Sequence, residues 1–560
     1  MRATSSRLPV WALIAGCLVT ALVSGPALPA RASTLPYIPL DHWVTPLISE
    51  AIGRGLLPEI SIGDRPYSPA IVARSLRRAH AADESTQPSR SPFESWLLQR
   101  IEDEVDPNAP PPAAAFSTVT TDWAVGYGIE ARVQMETGED QRRFGVRDAK
   151  GLLLPFAGFQ SGRGLAAGLR FRMDSDGERV PDFDGRPWRN GWTGDAKNAY
   201  ALLQLGAADV LLGRDDLRWG ASENSSLLLS AYAPALDQVG LRLKIGPVTA
   251  SSFFASLDDM VLGAPTAEAP GDTLPAGTRV KRHLSGHRVR WQVNRSLAVG
   301  VMETIVYGGV DRGLEPEYMV PVSIFYAGQW NSTWNDNTLM GLTAEFRLRK
   351  PDVEIYGELL VDDLQIDDDA PGDQEPFQGG FLLGQRTYNP LGLDGGLLRV
   401  EWARVEPFTY NQQLPWNRYV FADQPIGFEL GPDAQSLTLE FRHWVSEQLT
   451  WSVGFRREER GATRVTDPWP VPVSGPTPST PFPEFDHVPT GTVEARSRFT
   501  TEFWLHPRPG IDLRLGGGYV SVSNLDNVDG RTRSEWFAKG SLDLNWSKWL
   551  RPENARAGER

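Results

Sequence analysis

From residue 437 onward, apolar and polar side chains alternate one for one, in runs about as long as a membrane-spanning strand. Leu437, Leu439 and Phe441 alternate with Thr438, Glu440 and Arg442, and Leu449, Trp451, Val453 and Phe455 with Thr450, Ser452, Gly454 and Arg456. Phe499, Thr501, Phe503 and Leu505 continue the pattern, as do Ile511, Leu513 and Leu515. A period of two gives a strand one apolar and one polar face. A water-soluble barrel hides the apolar face inside, whereas a membrane barrel turns it toward lipid.

Strand patterns run through most of 113–550. They include Ala167–Met173, Tyr200–Leu205, Val239–Ile245, Val248–Leu257, Val289–Val293 and Leu297–Tyr307. Leu342–Leu348, Val353–Val361, Leu397–Val405 and Trp536–Trp546 follow. Some connections are tight, such as Gly246-Pro247, Arg349–Asp352 and His506–Gly510. Others are long and rich in Asp, Gly and Pro: 174–198, 258–286, 362–396, 457–495 and 521–535. Tight turns on one side and long loops on the other predict an outer-membrane, antiparallel, all-β barrel of about 16–18 strands. Trp291, Trp402, Trp444, Trp451, Trp504, Trp536, Trp546 and Trp549 fall near strand ends and predict interfacial girdles.

Residues 33–112 read differently. Asp41 is placed to cap a helix carrying Val44, Leu47, Ile48, Ala51 and Ile52 at helical spacing. Ser68-Pro69 and Ser91-Pro92 each set a cap before proline at the first helical position. Three short amphipathic helices predict a small bundle that packs on something larger, and Pro110-Pro111-Pro112 a stiff linker after it. Before them, Arg2 and Arg7, the apolar run Val10–Val23 and Ala30-Arg31-Ala32 make residues 1–32 a secretory signal peptide. Ile14-Ala15-Gly16-Cys17 also reads as a lipoprotein box, although Leu18–Val23 stays apolar. The tail 551–560 is polar or small where a barrel's last strand ordinarily ends on an aromatic.

Composition narrows the class. The one cysteine is Cys17, in the signal, so the exported chain has no disulfide, thiolate metal site or cysteine nucleophile. Mean hydropathy is −0.31, which suits alternating strands as well as a soluble protein. A net charge of −14 argues against nucleic acid as a partner. His283 and His287 lie among cations, with no cysteine or acid near them in sequence to complete a zinc set. Asp367-Asp368-Asp369 lacks the spacing of a calcium loop and reads as a solvated acidic loop. No nucleophile elbow or phosphate loop is present, so neither a cofactor nor catalysis is expected.

The most distinctive segment is Gly213–Gly220, followed by Ser226–Ser230. It sets Arg214, Asp215, Arg218 and Trp219 together, and Asp362-Asp363 recur after an apolar strand. Guanidinium and carboxylate groups bond hydroxyls in pairs and an indole stacks on a sugar face. These six are therefore candidate polysaccharide contacts, against the alternative of luminal ion pairs that stiffen the barrel. Taken with His287-Arg288, Glu303, Tyr307-Gly308-Gly309, Glu358–Asp363, Glu401–Tyr410 and Pro425–Asp433, the segment resembles the Wzi-type capsule-assembly proteins of Gram-negative outer membranes. Pro39–Trp43 and Arg65–Tyr67 look like that family's helical start. The resemblance implies a large barrel plugged by a periplasmic helical bundle, and a lectin that holds capsular or extracellular polysaccharide without catalysis. Outer-membrane lipid and the polysaccharide are the expected partners and a monomer the expected state. The rival expectation is a saccharide-conducting or polysaccharide-export porin.

Overall fold

The computed structural model describes residues 35–83, 90–105, 123–138, 148–363, 377–469 and 487–550. Short gaps interrupt these at 163, within 178–190, and at 224, 231, 270–271, 332–334, 350–351 and 509. The signal segment, the proline linker, the acidic loop around Asp367 and the tail lie outside the described residues.

Three helices come first: α1 (Thr45–Gly53), α2 (Pro69–Asp83) and α3 (Pro92–Glu104). The barrel opens with β1 (Trp123–Glu136), β2 (Asp148–Ser161), β3 (Leu165–Asp174), β4 (Thr193–Leu205), β5 (Ala208–Asp215) and β6 (Leu236–Ile245). It continues with β7 (Val248–Ser256), β8 (Arg279–Gln292), β9 (Leu297–Gly309), β10 (Asn337–Arg349), β11 (Asp352–Asp363) and β12 (Gln378–Tyr388). The last six are β13 (Gly396–Val405), β14 (Ala434–Ser446), β15 (Leu449–Arg460), β16 (Glu494–Arg508), β17 (Ile511–Ser523) and β18 (Arg533–Leu550). Every neighbour is antiparallel, and β18 pairs back onto β1 from Val125↔Leu550 to Glu136↔Lys539. Eighteen strands thus close into a barrel without a free edge. Among the described residues, no helix is long and apolar enough to cross a membrane.

The alternation at residue 437 resolves as a membrane barrel. Phe499 and Leu515 stand 54% and 49% exposed on the outside, while Arg442, Arg456 and Arg498 engage carboxylates in the lumen. Two strands were hidden inside stretches that read as loops. The N-terminal part of β8 lies in 258–286, and β12 lies in 362–396, where glycines dilute the pattern of Phe381 and Leu383 outside and Leu382 and Arg386 inside.

The bundle packs against the short-turn, periplasmic end of the barrel. Its core of Val44, Leu47, Ile48, Ala51, Leu97 and Ile101 includes two barrel residues, Trp444 and Trp504. Those two tryptophans are a correction to the girdle: they point inward and are buried, because β14 and β16 present them to the bundle. Trp291, Trp402 and Trp536 do face outward, and the side chain of Trp549 lies outside the described set. Trp96 sits 4.6 Å from Trp444, ring to ring, and Arg54 bonds Asn389 and the Gly396 carbonyl at the strand turn below. Ser91 and Glu94 form the reciprocal capping box of α3. Asp41 does not cap α1; its carboxylate takes the Arg170 guanidinium from the barrel wall at 2.7 Å instead.

Candidate functional site

Two long connections do not stay outside. The 216–235 segment, after β5, and the 406–433 segment, after β13, fold inward and meet. Their Trp219, Leu227, Leu228, Leu229, Ile426 and Phe428 pack with inward Met302, Leu360, Leu382 and Ala403 into one dry core inside the lumen. Water-free apolar packing at mid-barrel is the opposite of a solvated pore lining.

Hydrogen bonds fix the two segments to each other. The Tyr410 hydroxyl donates to the Leu227 carbonyl at 2.6 Å and accepts from the Phe428 amide at 3.1 Å. The Tyr419 hydroxyl donates to the Leu228 carbonyl at 3.0 Å, and the Ser230 amide to the Ile426 carbonyl at 3.1 Å. Wall residues hold the same backbone: Glu358 accepts from the Leu227 amide at 2.9 Å, and Arg386 donates to the Ala221 carbonyl at 2.7 Å. Arg282 clamps the other segment through the carbonyls of Trp416, Arg418 and Val420 at 2.7–2.9 Å. Asp433 gathers the amides of Thr463 and Thr490 at 2.9 and 2.7 Å. Gly220 has φ +123°, and a Cβ there would collide with Glu358 and Ser226, so only glycine fits.

Below this core, ion pairs tie lumen to bundle. Arg386 meets Glu354 at 3.0 Å, Arg399 meets Glu440 at 2.6 Å and Glu223 at 3.3 Å, and Glu50 of α1 joins Arg442 at 3.0 Å. Arg65, ahead of α2, donates to the Ser222 carbonyl at 2.8 Å. Burial alone would raise the Glu223 carboxyl, but Arg386, Arg399, Arg442 and Arg65 outweigh it and hold it at about 2. Burial pushes the Arg218 guanidinium down to about 9, and neighbouring Arg65 adds to that.

The six candidate contacts do not form one open site. Asp215 is buried and accepts from the Asn198 amide at 2.8 Å. Arg218 is buried and donates to the Ser222 carbonyl at 2.8 Å. Trp219 is 2% exposed and meets Phe253 edge-on at 5.4 Å, which leaves neither indole face open. Asp362 is buried and accepts from the Tyr410 amide at 2.5 Å. Arg214 shares the outward parity of exposed Leu212 and pairs with Asp237 at 2.6 Å on the barrel's outer rim. Asp363 ends β11, and its side chain lies outside the described set.

Other groups remain open. Trp188 and Tyr232, on loops at the long-loop end, are 48% and 43% exposed. Inside, β1, β16, β17 and β18 line a polar cavity of about 270 Å³ with Gln134, Glu136, Glu502, Arg514, Lys539 and Ser541. The two histidines face outward beneath the 310–331 connection, which carries α4 (Phe325–Asn331) over the outer wall. The acid absent from their sequence surroundings is Glu303 on the next strand, 3.2 Å from His287 and also accepting from the Phe325 and Tyr326 amides. Among the described residues, no group of three or more His, Cys, Asp or Glu is arranged to hold a metal ion.

A closed barrel of eighteen strands, plugged from below by helices and from within by its own connections, defines an outer-membrane barrel protein. The capsule assembly protein Wzi family model matches residues 121–535, and the chain belongs to that family. Among solved structures it is similar to Wzi of Escherichia coli, described as an outer-membrane protein involved in group 1 capsule assembly and a carbohydrate-binding β-barrel. The TM-score is 0.56 and the identity 15%, over 92% of this chain and 99% of that one. Pseudomonas aeruginosa OpdK (TM-score 0.42, 11% identity, 77% of this chain and 99% of that one) and OprD (0.42, 9%, 78% and 97%) also align. No curated protein matches the chain.

Proposed function

We propose that the chain binds surface polysaccharide and serves its attachment or assembly at the outer membrane, by binding and not by bond cleavage. One observation carries the reading: the segments that make the chain resemble its family converge on the luminal plug. Gly213–Gly220, Ser226–Ser230, Glu358–Asp363, Glu401–Tyr410 and Pro425–Asp433 all contribute to it. The carbohydrate-binding description of the E. coli protein with this fold supports the same reading. In this proposal Asp215, Arg218, Trp219 and Asp362 set the shape of the outer mouth by holding the plug. Contact with sugar falls to outer groups: Arg214 at the rim, the Tyr232 ring, and the one face of Trp188 left by its stack on Phe171 at 6.3 Å, rings that suit stacking on pyranose faces.

The test is a strain lacking the protein. Cell-bound and released polysaccharide are measured separately, with total synthesis as the control. Shedding at unchanged total synthesis is expected; undiminished cell-bound polysaccharide overturns the proposal.

A further inference from the structure

A cleft opens at the short-turn end of the barrel, between the helical bundle and the lower ends of β4 to β8. It holds about 590 Å³, within the size of sites that enclose small ligands. Five cations line it, Arg74 and Arg78 of α2, Arg242 and Lys244 of β6, and Arg290 of β8, against the carboxylates of Glu59, Asp64 and Asp209. In a chain of net charge −14 this local excess of positive charge is a matter of placement.

Most of these groups have partners. Arg78 pairs with Glu59, Lys244 donates to the Glu59 carbonyl at 2.6 Å, and Arg290 pairs with Glu345 at 3.1 Å. Asp64 takes Arg288 at 3.0 Å, and Asp209 accepts from the Tyr37 hydroxyl at 3.4 Å. Arg74 and Arg242 make no ion pair or hydrogen bond with any described residue. Arg242 is held instead by the Tyr37 ring, 5.6 Å from its centroid. The wall around the two guanidinium groups also offers neutral hydrogen-bonding groups, Gln204, Thr249 and Gln292. A second cavity of about 240 Å³ shares Pro58, Ile60, Arg290 and Gln292 with the first and continues along the rim past Arg295 and Arg347.

We infer that this periplasmic cleft is a second binding site, for a saccharide segment that carries carboxylate or phosphate groups, with Arg74 and Arg242 as its anion contacts. Guanidinium groups recognise planar carboxylates and phosphates through paired hydrogen bonds, and the amides and hydroxyl between them suit sugar hydroxyls. Two cavities that share a wall suit a short run of residues better than a lone ion. The inference rests on the polysaccharide reading and extends it to the inner face of the membrane.

Isothermal titration of the refolded full chain in detergent tests it, with hexagalacturonate, maltohexaose and inorganic phosphate as probes. Hexagalacturonate is expected to bind about tenfold more tightly than maltohexaose, and to weaken about fivefold or more in Arg74→Glu and in 0.5 M salt. Arg74 is exposed on α2, so the variant keeps its fold, which tryptophan fluorescence checks; Arg74→Lys should recover part of the affinity. Equal binding of the neutral hexamer, wild-type affinity in both Arg74→Glu and Arg242→Gln, or equal competition by phosphate at matched charge overturns the inference. Wild-type affinity in those variants alongside shedding in the deletion strain sinks the cleft alone. Cleft binding in a protein whose loss sheds nothing sinks only the surface reading.

Discussion

Tyr410→Phe removes one oxygen at the centre of the plug and tests whether the two inward segments are held as described. The hydroxyl donates to the Leu227 carbonyl at 2.6 Å and accepts from the Phe428 amide at 3.1 Å, so its loss orphans one buried backbone acceptor and one buried donor. Each costs about 1–3 kcal/mol, so docking of the segments should weaken by about 4 kcal/mol. Tyr419→Phe orphans one buried backbone group, the Leu228 carbonyl, and should cost about half as much. At tenfold per 1.4 kcal/mol, Tyr410→Phe should make transient opening of the lumen about a thousandfold more frequent. Planar-bilayer recording reads this directly: wild type closed, Tyr419→Phe with rare brief openings, Tyr410→Phe with frequent ones. The thermal midpoint in detergent should fall in the same order. A closed trace and an unshifted midpoint for Tyr410→Phe would refute the account of the plug.

Three more perturbations address the parts around it. Trp444→Ala takes a buried ring from between Phe93, Trp96 and His506 and should cost about 3–5 kcal/mol of bundle docking, read as faster tryptic cleavage at exposed Arg77 and Arg78. Arg282→Ala leaves three carbonyls, two of them buried, without their donor and should make the 416–420 backbone exchange amide hydrogens faster, while β14–β18 keep their protection. Burial pushes the Glu104 carboxyl of α3 up to about 8 from an ordinary value of 4.5. The folded bundle therefore holds a proton that the unfolded chain releases, so its stability is full below about pH 4.5 and is lost as pH rises through 8. Glu104→Gln should flatten that decline between pH 5 and 9 in fluorescence melts. The gain should reach several kcal/mol at the alkaline end, because each tenfold difference in proton affinity between the two states is worth about 1.4 kcal/mol.

The wall of the barrel was legible because a period of two survives any register, whereas the plug was not. Spacing put Thr438, Glu440 and Arg442 on one face, export and uneven loops made that face the inward one, and β14 places Glu440 and Arg442 in luminal ion pairs. Trp444 follows the same parity, yet its position at a strand end suggested a lipid interface; only the docked bundle gives an inward tryptophan its partner. Gly213–Gly220 carried a correct signal of importance and a misleading one of exposure. Arginine, aspartate and tryptophan together suit a sugar, and they equally suit a buried junction where Arg218 and Asp215 are spent on protein groups. What separates the two is whether the segment after β5 turns outward or inward, and that depends on long-range partners: Glu358, Arg386 and Tyr410 lie 131, 165 and 183 residues from the groups they hold. A cue was present in β12, where Arg386 falls on the inward parity of an apolar strand and so needed a buried partner.

The same contacts bear on conduction. A path for a sugar through the middle of the barrel would have to part Arg386 from Glu354 and Ala221, Glu358 from Leu227, and the tyrosines from both segments. Removing one partner of a buried pair costs about 3–5 kcal/mol, and each orphaned backbone group about 1–3 more. Displacing the whole plug also exposes Leu227, Leu228 and Leu229, all within 1% of full burial. Those terms exceed what a passing saccharide, which is polar and prefers water to this core, returns by binding. The two ends of the barrel are under no such constraint. Above the plug stand exposed aromatic rings; beneath it lies a cationic cleft where Arg74 and Arg242 make no ion pair or hydrogen bond with any described residue. In the proposed reading such a protein handles a polymer at its faces, and the membrane-spanning wall holds those two faces in fixed relation.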